Sequence, residues 1–307
     1  MTGLPAACRN APYTSCMIPR SRLDAFYAWF FVLIWGSGYL ASKTGMQYAP
    51  PFTFLALRYS FGVLCLLAWV GWSKPQWPAS RTEFFHVCVA GLLMHAVNLG
   101  GSHYAQYLGM SAGVTALLLA TQPLLTAVYA HHRLGERLDR LQWLGVLLGL
   151  CGVALVVWHK INLKAVTAGS LVAVTISLLA ITSGTLYQRR YCKSVDLRSA
   201  SLIQFGASLL VVAPLGWAVE GFPVRWSWPL VISIFFLVIF ASILAVNVLN
   251  TMMRQGHAAK VTSLLFLTPI VAVLLEWLMF GVVPTGASVA GIVVTCLGVA
   301  MVSRRKA

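Results

Sequence analysis

Two charged side chains fall well inside otherwise apolar stretches, and they are the first candidates for chemistry: Arg58 and Glu276. A charge at the centre of a bilayer costs about 2.5–3.5 kcal/mol on insertion scales, so each needs a partner or a water-filled cavity. A guanidinium in that setting anchors an anion, and a carboxylate carries a proton or pairs with a cation. Counting 1.5 Å per residue from Pro51 puts Arg58 about 10 Å deep, and counting back from Gly281 puts Glu276 about 8 Å from the same face. The two are expected at similar depth, either as an ion pair or as an acid beside a substrate anchor.

Uncharged polar groups add to this. His95, Asn98, Ser102 and Gln106 recur at i, i+3, i+7 and i+11, one stripe of a helix. Thr115, Gln122, Thr126 and Tyr129 form a similar set in the next apolar stretch. Polar stripes on spanning helices face the bundle interior. There they either bond helix to helix, at about 0.6 kcal/mol apiece on average, or wet a substrate path. His95 alone reads first as a satisfied buried histidine and second as a proton relay. Pro123 and Pro269 each remove a backbone hydrogen bond near mid-helix, and such kinks are tolerated mainly beside a cavity, water or a neighbouring helix. Among the aromatic residues in or near apolar stretches are Trp35, Tyr39, Tyr187 and Trp277, which serve as interfacial belt or as a clasp for an apolar substrate.

The chemistry of soluble enzymes is missing. Ser37 sits in Trp35-Gly36-Ser37-Gly38, but no base with known geometry accompanies it. There is no phosphate loop, and the seven cysteines are scattered without metal or disulfide spacing. No catalytic residue, metal or cofactor is expected.

The elements that position these groups follow from composition. The chain is 59% hydrophobic and 9% charged, with mean hydropathy +0.80, against roughly 25% charged in soluble domains. It is therefore expected to be an all-α integral membrane protein. Ten stretches are long enough for a hydrocarbon core of about 30 Å: 24–42, 52–72, 84–107, 112–133, 140–158, 168–187, 199–219, 229–250, 258–281 and 286–303. Residues 1–22 read as a disordered cytoplasmic tail. The apolar run after Arg20 and Arg22 is too long for a signal peptide and is expected to be retained.

The second half repeats the first. Ala112, Pro123, Gly135, Gly145, Gly152 and Lys160 recur as Ala258, Pro269, Gly281, Gly291, Gly298 and Lys306, all about 146 positions on and without a gap. The spans then divide into five-helix units, 23–160 and 161–307. Five is odd, so the second unit enters the membrane from the opposite side, giving a 5+5 inverted-topology repeat. The net charge of +15 fits this better than nucleic-acid binding. With the N-terminus inside, 17 Lys and Arg fall in cytoplasmic segments and 4 (Lys43, Lys160, Lys164 and Arg225) in outside segments. That bias places both termini in the cytoplasm.

The residues also resemble a family. Trp35-Gly36-Ser37, Arg58, the run Gln122-Pro123-Leu124-Leu125 through Gly135-Glu136-Arg137, Trp143-Leu144-Gly145, Gly152-Val153-Ala154, Gly184 to Gln188 and Phe266-Leu267-Thr268-Pro269 are similar to motifs of the drug/metabolite transporter superfamily, in its EamA-like ten-helix branch. One departure is Val282, where members often repeat the acid of Glu136. The resemblance implies a secondary transporter in the cell membrane. It would export a small metabolite, an amino acid or related compound, through a cavity between the halves. Arg58, His95, Asn98, Gln122, Thr126, Tyr187 and Glu276 would line that cavity, with kinks at Pro123 and Pro269. Alternatives are proton-coupled efflux of lipophilic cationic drugs and, from another class, a membrane scaffold or lipid-flipping subunit.

Overall fold

The computed structural model describes residues 20–133, 139–162, 166–245, 248 and 268–302. The tail before Arg20, the loop Gly135-Glu136-Arg137, Phe266, Leu267 and the start of the ninth span lie outside the described residues. The described residues are helical, without strands.

The helices are α1 (Arg20–Gly45), α2 (Pro51–Ser73), α3 (Arg81–Tyr107), α4 (Ala112–Leu119, resuming as Gln122–Arg133), α5 (Arg140–Asn162), α6 (Ala168–Tyr191), α7 (Leu197–Glu220), α8 (Trp228–Leu244), α9 (Thr268–Phe280) and α10 (Gly286–Val302). Where both ends are described, limits agree with the sequence expectation within about four residues, except that α8 is described as far as Leu244. Four of them, α2, α3, α6 and α7, are long and apolar enough within the described residues to cross a bilayer. Starts are fixed by short polar side chains: Ser80 accepts from Glu83 N, Ser111 from Val114 N, Thr167 from Ser170 N and Asp196 from Arg198 N. Pro51 occupies the first turn of α2, where its missing N–H costs nothing.

Helix α4 breaks rather than bends. A proline ring clashes with the carbonyl four residues back, which for Pro123 is Leu119, the last residue of the first segment. Helices α3 and α8 are interrupted differently. Each widens into π-type turns, over Leu92–Val97 and Phe236–Leu244. Advanced by the repeat offset of about 146, the first stretch falls inside the second. Wide turns leave carbonyls free, and π-bulges concentrate at functional sites.

Helices five places apart in the order pack on one another: α2 on α7, α4 on α9 and α5 on α10. The remaining main pairings come in exchanged couples: α3 on α6 with α8 on α1, α1 on α9 with α6 on α4, and α3 on α7 with α8 on α2. The tightest seam is α5 against α10. A Cβ on Gly145 would lie 2.6 Å from Gly298 O, and one on Gly152 would lie 2.6 Å from Gly291 O. Only glycine permits that approach, as the Gly-rich faces of both sequences suggest.

Candidate functional site

Arg58 lies seven residues into α2 and is 7% exposed. Its neighbours Leu55 and Tyr59 are fully buried in an apolar cluster with Phe205 of α7. The guanidinium donates from Nη2 to Ser242 Oγ at 3.1 Å, and its Nε–H has no partner. Ser242 lies in the wide turns of α8 and donates its own hydroxyl hydrogen bond to Leu237 O at 2.8 Å, a carbonyl five residues back. The widened helix thus turns a serine into an acceptor aimed at Arg58. On either side of Arg58 in α2, Phe54 meets the His103 ring of α3 at 5.9 Å between centroids, and Tyr59 meets the His95 ring at 6.2 Å.

The equivalent position in the second half is Gln204 of α7, and it does the same structural job. His95 Nε2 and Gln204 Oε1 are 3.3 Å apart, and His95 lies in the wide turns of α3. Gln204 Nε2 donates to Gln188 Oε1 at 3.2 Å. Tyr59 OH donates to His95 O at 3.0 Å, satisfying a carbonyl of the widened turn. So α2 reaches α8 through Arg58–Ser242, and α7 reaches α3 through Gln204–His95.

Other expected site residues join helices. Ser177 of α6 donates to Asn98 at its backbone O (2.7 Å) and Oδ1 (2.8 Å), while Asn98 Nδ2 donates to Met94 O. Gln122 Nε2 donates to Thr185 Oγ1 of α6 at 3.0 Å, and Thr126 donates to Gln122 O. Tyr187 lies toward the other end of the bundle, its hydroxyl 2.6 Å from His86 Nδ1, with the His86 ring stacked on Tyr191. Pro123 is half-buried after the break in α4, and Pro269 is buried at the start of described α9.

Glu276 is 3% exposed, and its partner is Lys43 rather than Arg58. Lys43 Nζ donates to Oε1 at 2.6 Å and lies 4.7 Å from the Phe280 ring centroid. Ala112 N donates to Oε1 at 3.1 Å and Gly113 N to Oε2 at 3.0 Å. The carboxylate therefore sits on the N-terminus of α4, where unpaired N–H groups and the helix dipole favour negative charge. A hollow of about 20 Å³, room for about one water, borders it beside Ser111 and Ser288.

A second carboxylate repeats this arrangement. Glu220, at the end of α7, accepts from Phe52 N at 2.9 Å, Thr53 N at 2.7 Å and Thr53 Oγ1 at 2.7 Å, at the N-terminus of α2. Arg225 N donates to Tyr48 O at 2.9 Å, and Arg225 Nη2 to Gln47 O, in the loop just before α2. Sequence reasoning missed Glu220, Lys43 as a partner, and His103. Glu220 and Lys43 stand at span ends, where a charge normally reads as loop. The available signal was the facing helix start, with bare N–H groups after Pro51. His103 lies eight residues beyond His95, about 80° around the helix from it, off the main stripe. Among the described residues no group of His, Cys, Asp or Glu is placed to hold a metal ion.

The model of the EamA-like transporter family matches the chain twice, over residues 23–158 and 167–304. The chain belongs to that family. Its relatives span the chain almost end to end. It is 26% identical over 277 residues to a protein of Escherichia coli (strain K12) named "Uncharacterized inner membrane transporter YedA", covering 86% of this chain and 89% of that one. It is 25% identical over 296 residues to the Bacillus subtilis (strain 168) "Uncharacterized transporter YvbV", covering 94% and 93%. It is 21% identical over 287 residues to a protein of Salmonella typhimurium named "Probable amino-acid metabolite efflux pump", covering 91% and 94%. A crystal structure superposes with a TM-score of 0.65 at 18% identity over 91% of this chain and 96% of its own, which gives the same fold. This EamA-like protein is a multi-pass membrane transporter and not an enzyme.

Proposed function

We propose that the protein exports a small metabolite, an amino acid or related compound, across the cytoplasmic membrane by alternating access. The single observation that carries this reading is the buried Arg58, held by one serine in a widened helix turn, with an Nε–H left without a partner. A cation kept at that depth at a cost of about 2.5–3.5 kcal/mol, without a protein counter-charge, suits a solute passing through. The name of the Salmonella relative supports the substrate class.

In this reading the halves 23–160 and 161–307 are inverted copies with both termini in the cytoplasm. The twofold family match and the exchanged packing couples support it. Lys43, Glu220, Glu276 and Arg225 then lie at the outer end. Lys43–Glu276 ties α1 to α9, Glu276 ties α9 to α4, and Glu220 ties α7 to α2. These contacts act as an outer latch that opens when solute is released. The lipid bilayer and the solute are the partners required, and no nucleic acid is involved.

A second reading, proton-coupled efflux of lipophilic cations, draws on the burial of Glu276. There the carboxylate would exchange Lys43 for a proton and the proton for the drug. Flux of radiolabelled solutes in proteoliposomes, with and without a pH gradient, separates the two. Export of metabolites is expected to stop in Arg58→Ala and to persist, with altered rate, in Glu276→Gln. Cation flux that stops in Glu276→Gln and ignores Arg58→Ala would establish the second reading instead.

A further inference from the structure

The substrate class can be narrowed by asking which charges the bundle leaves unanswered, an inference that rests on Arg58 facing the transported solute. The chain holds seven acids. Glu276 is occupied by Lys43 and two N–H groups, and Glu220 by two N–H groups and a hydroxyl. The other five, Asp24, Glu83, Glu136, Asp139 and Asp196, belong by sequence position to the opposite ends of the helices. Helix α2 continues fifteen residues past Arg58, so that end is about 22 Å away at 1.5 Å per residue. Glu276 stands at similar depth but is already bound by Lys43 and two N–H groups, so among the described residues no carboxylate is left free to answer Arg58.

Uncharged amide and imidazole groups stand between Arg58 and the near end of the helices. His103 of α3 is 3% exposed, stacks on Phe54 of α2 at 5.9 Å, and has an Nε2 without a partner. Gln106, one turn further along α3 and 8% exposed, has both its Oε1 and Nε2 without partners. Unpaired polar atoms this deeply buried are rare in native structures, and each calls for a ligand or an ordered water. A guanidinium with free N–H groups presents a planar fork that matches a carboxylate. A zwitterion would bring an ammonium group as well. That group carries three donors and a full charge, and here it would meet Arg58 with no free acid to balance it.

We infer that Arg58 anchors a carboxylate subsite for an organic monoanion that carries no free ammonium group, with the unpartnered polar atoms of His103 and Gln106 completing it toward the near end of the helices. The preferred solutes are 2-oxo, hydroxy, N-acylated or plain carboxylic acids, ahead of free amino acids and well ahead of amines.

Matched compounds test this. Two triads share a skeleton within each set: 3-phenylpropionate, phenylalanine and phenethylamine; 4-methylpentanoate, leucine and isopentylamine. Binding is read by thermal stabilisation of the purified full-length protein in detergent, and flux by counterflow in proteoliposomes. At least one carboxylate is expected to bind tenfold or more tightly than its amino acid, with no stabilisation by the amine. Arg58→Gln should abolish that preference while keeping the ligand-free melting temperature, and Arg58→Lys should restore part of it. His103→Gln should weaken the carboxylate without reversing the order. An amino acid or amine that binds as well as its carboxylate, or a failure of both carboxylates to bind, would overturn the inference. Flux of an amino acid in that case would leave the transporter reading standing, whereas absence of flux for every solute would count against that reading too.

Discussion

Arg58 and Gln204 occupy the same position in the two halves, and the difference between them separates fold from function. Both reach from one helix of the α2–α7 pair to a widened turn on a third helix, Arg58 to Ser242 and Gln204 to His95. Both are buried, at 7% and 6% exposure. Gln204 is satisfied at both ends of its amide by His95 and Gln188. Arg58 makes one bond and leaves an Nε–H bare. A glutamine is thus sufficient for the architecture at this position. On the proposed reading, the positive charge in the first half serves a ligand and not the fold.

The comparison can be broken from either side. Gln204→Arg places a second cation in the bundle and displaces the His95 and Gln188 bonds. It should lower stability by about 2.5–3.5 kcal/mol, the insertion cost of the charge, read by thermal melting in lipid nanodiscs. Unchanged melting would mean that the second half also has a counter-charge or water at that depth. Arg58→Gln makes the halves alike. Solute affinity should fall by about 1.5–3 kcal/mol, the worth of a hydrogen bond to a charged group, while melting stays level or rises. A large drop in melting would make Arg58 a structural residue instead.

The turn residues sharpen the point. Ser242→Ala removes the acceptor of Arg58 and should reduce affinity by about 1 kcal/mol, a factor of roughly five. His95→Ala should cost about 1 kcal/mol of stability through loss of the Gln204 bond and leave solute affinity nearly unchanged. Equal effects of the two substitutions on affinity would erase the asymmetry between the halves.

The bundle was largely legible in the sequence, and the site only in part. Apolar runs and the positions of Pro123, Gly145, Gly291 and Gly298 set span limits and the α5–α10 seam, because lipid demands long runs and close packing demands glycine. The buried charges stood out for the same reason. Their partners did not. Lys43 and Glu220 lie at span ends, where charge is the rule, and only the packing of α1 on α9 and of α7 on α2 gives them a role. The widened turns of α3 and α8 left no mark either. A π-type turn differs from an α-helical one in register rather than residue type, and Leu92–Val97 and Phe236–Leu244 share no residue pattern that announces it. The stripe from His95 to Gln106 predicted polar contact but could not divide it. Asn98 bonds Ser177, whereas Gln106 is left without partners.

The central claim is that an uncompensated positive charge lines a wet path inside the membrane. A Ser242→Cys variant in a background without the native cysteines puts a thiol beside Arg58. Its rates of reaction with a negatively and a positively charged methanethiosulfonate, neither of which crosses membranes, test that claim most directly. The account predicts labelling, faster by the anionic reagent, and a loss of that preference in the Arg58→Gln background. A thiol that neither reagent reaches from either side, or one that the cationic reagent modifies faster, would contradict it.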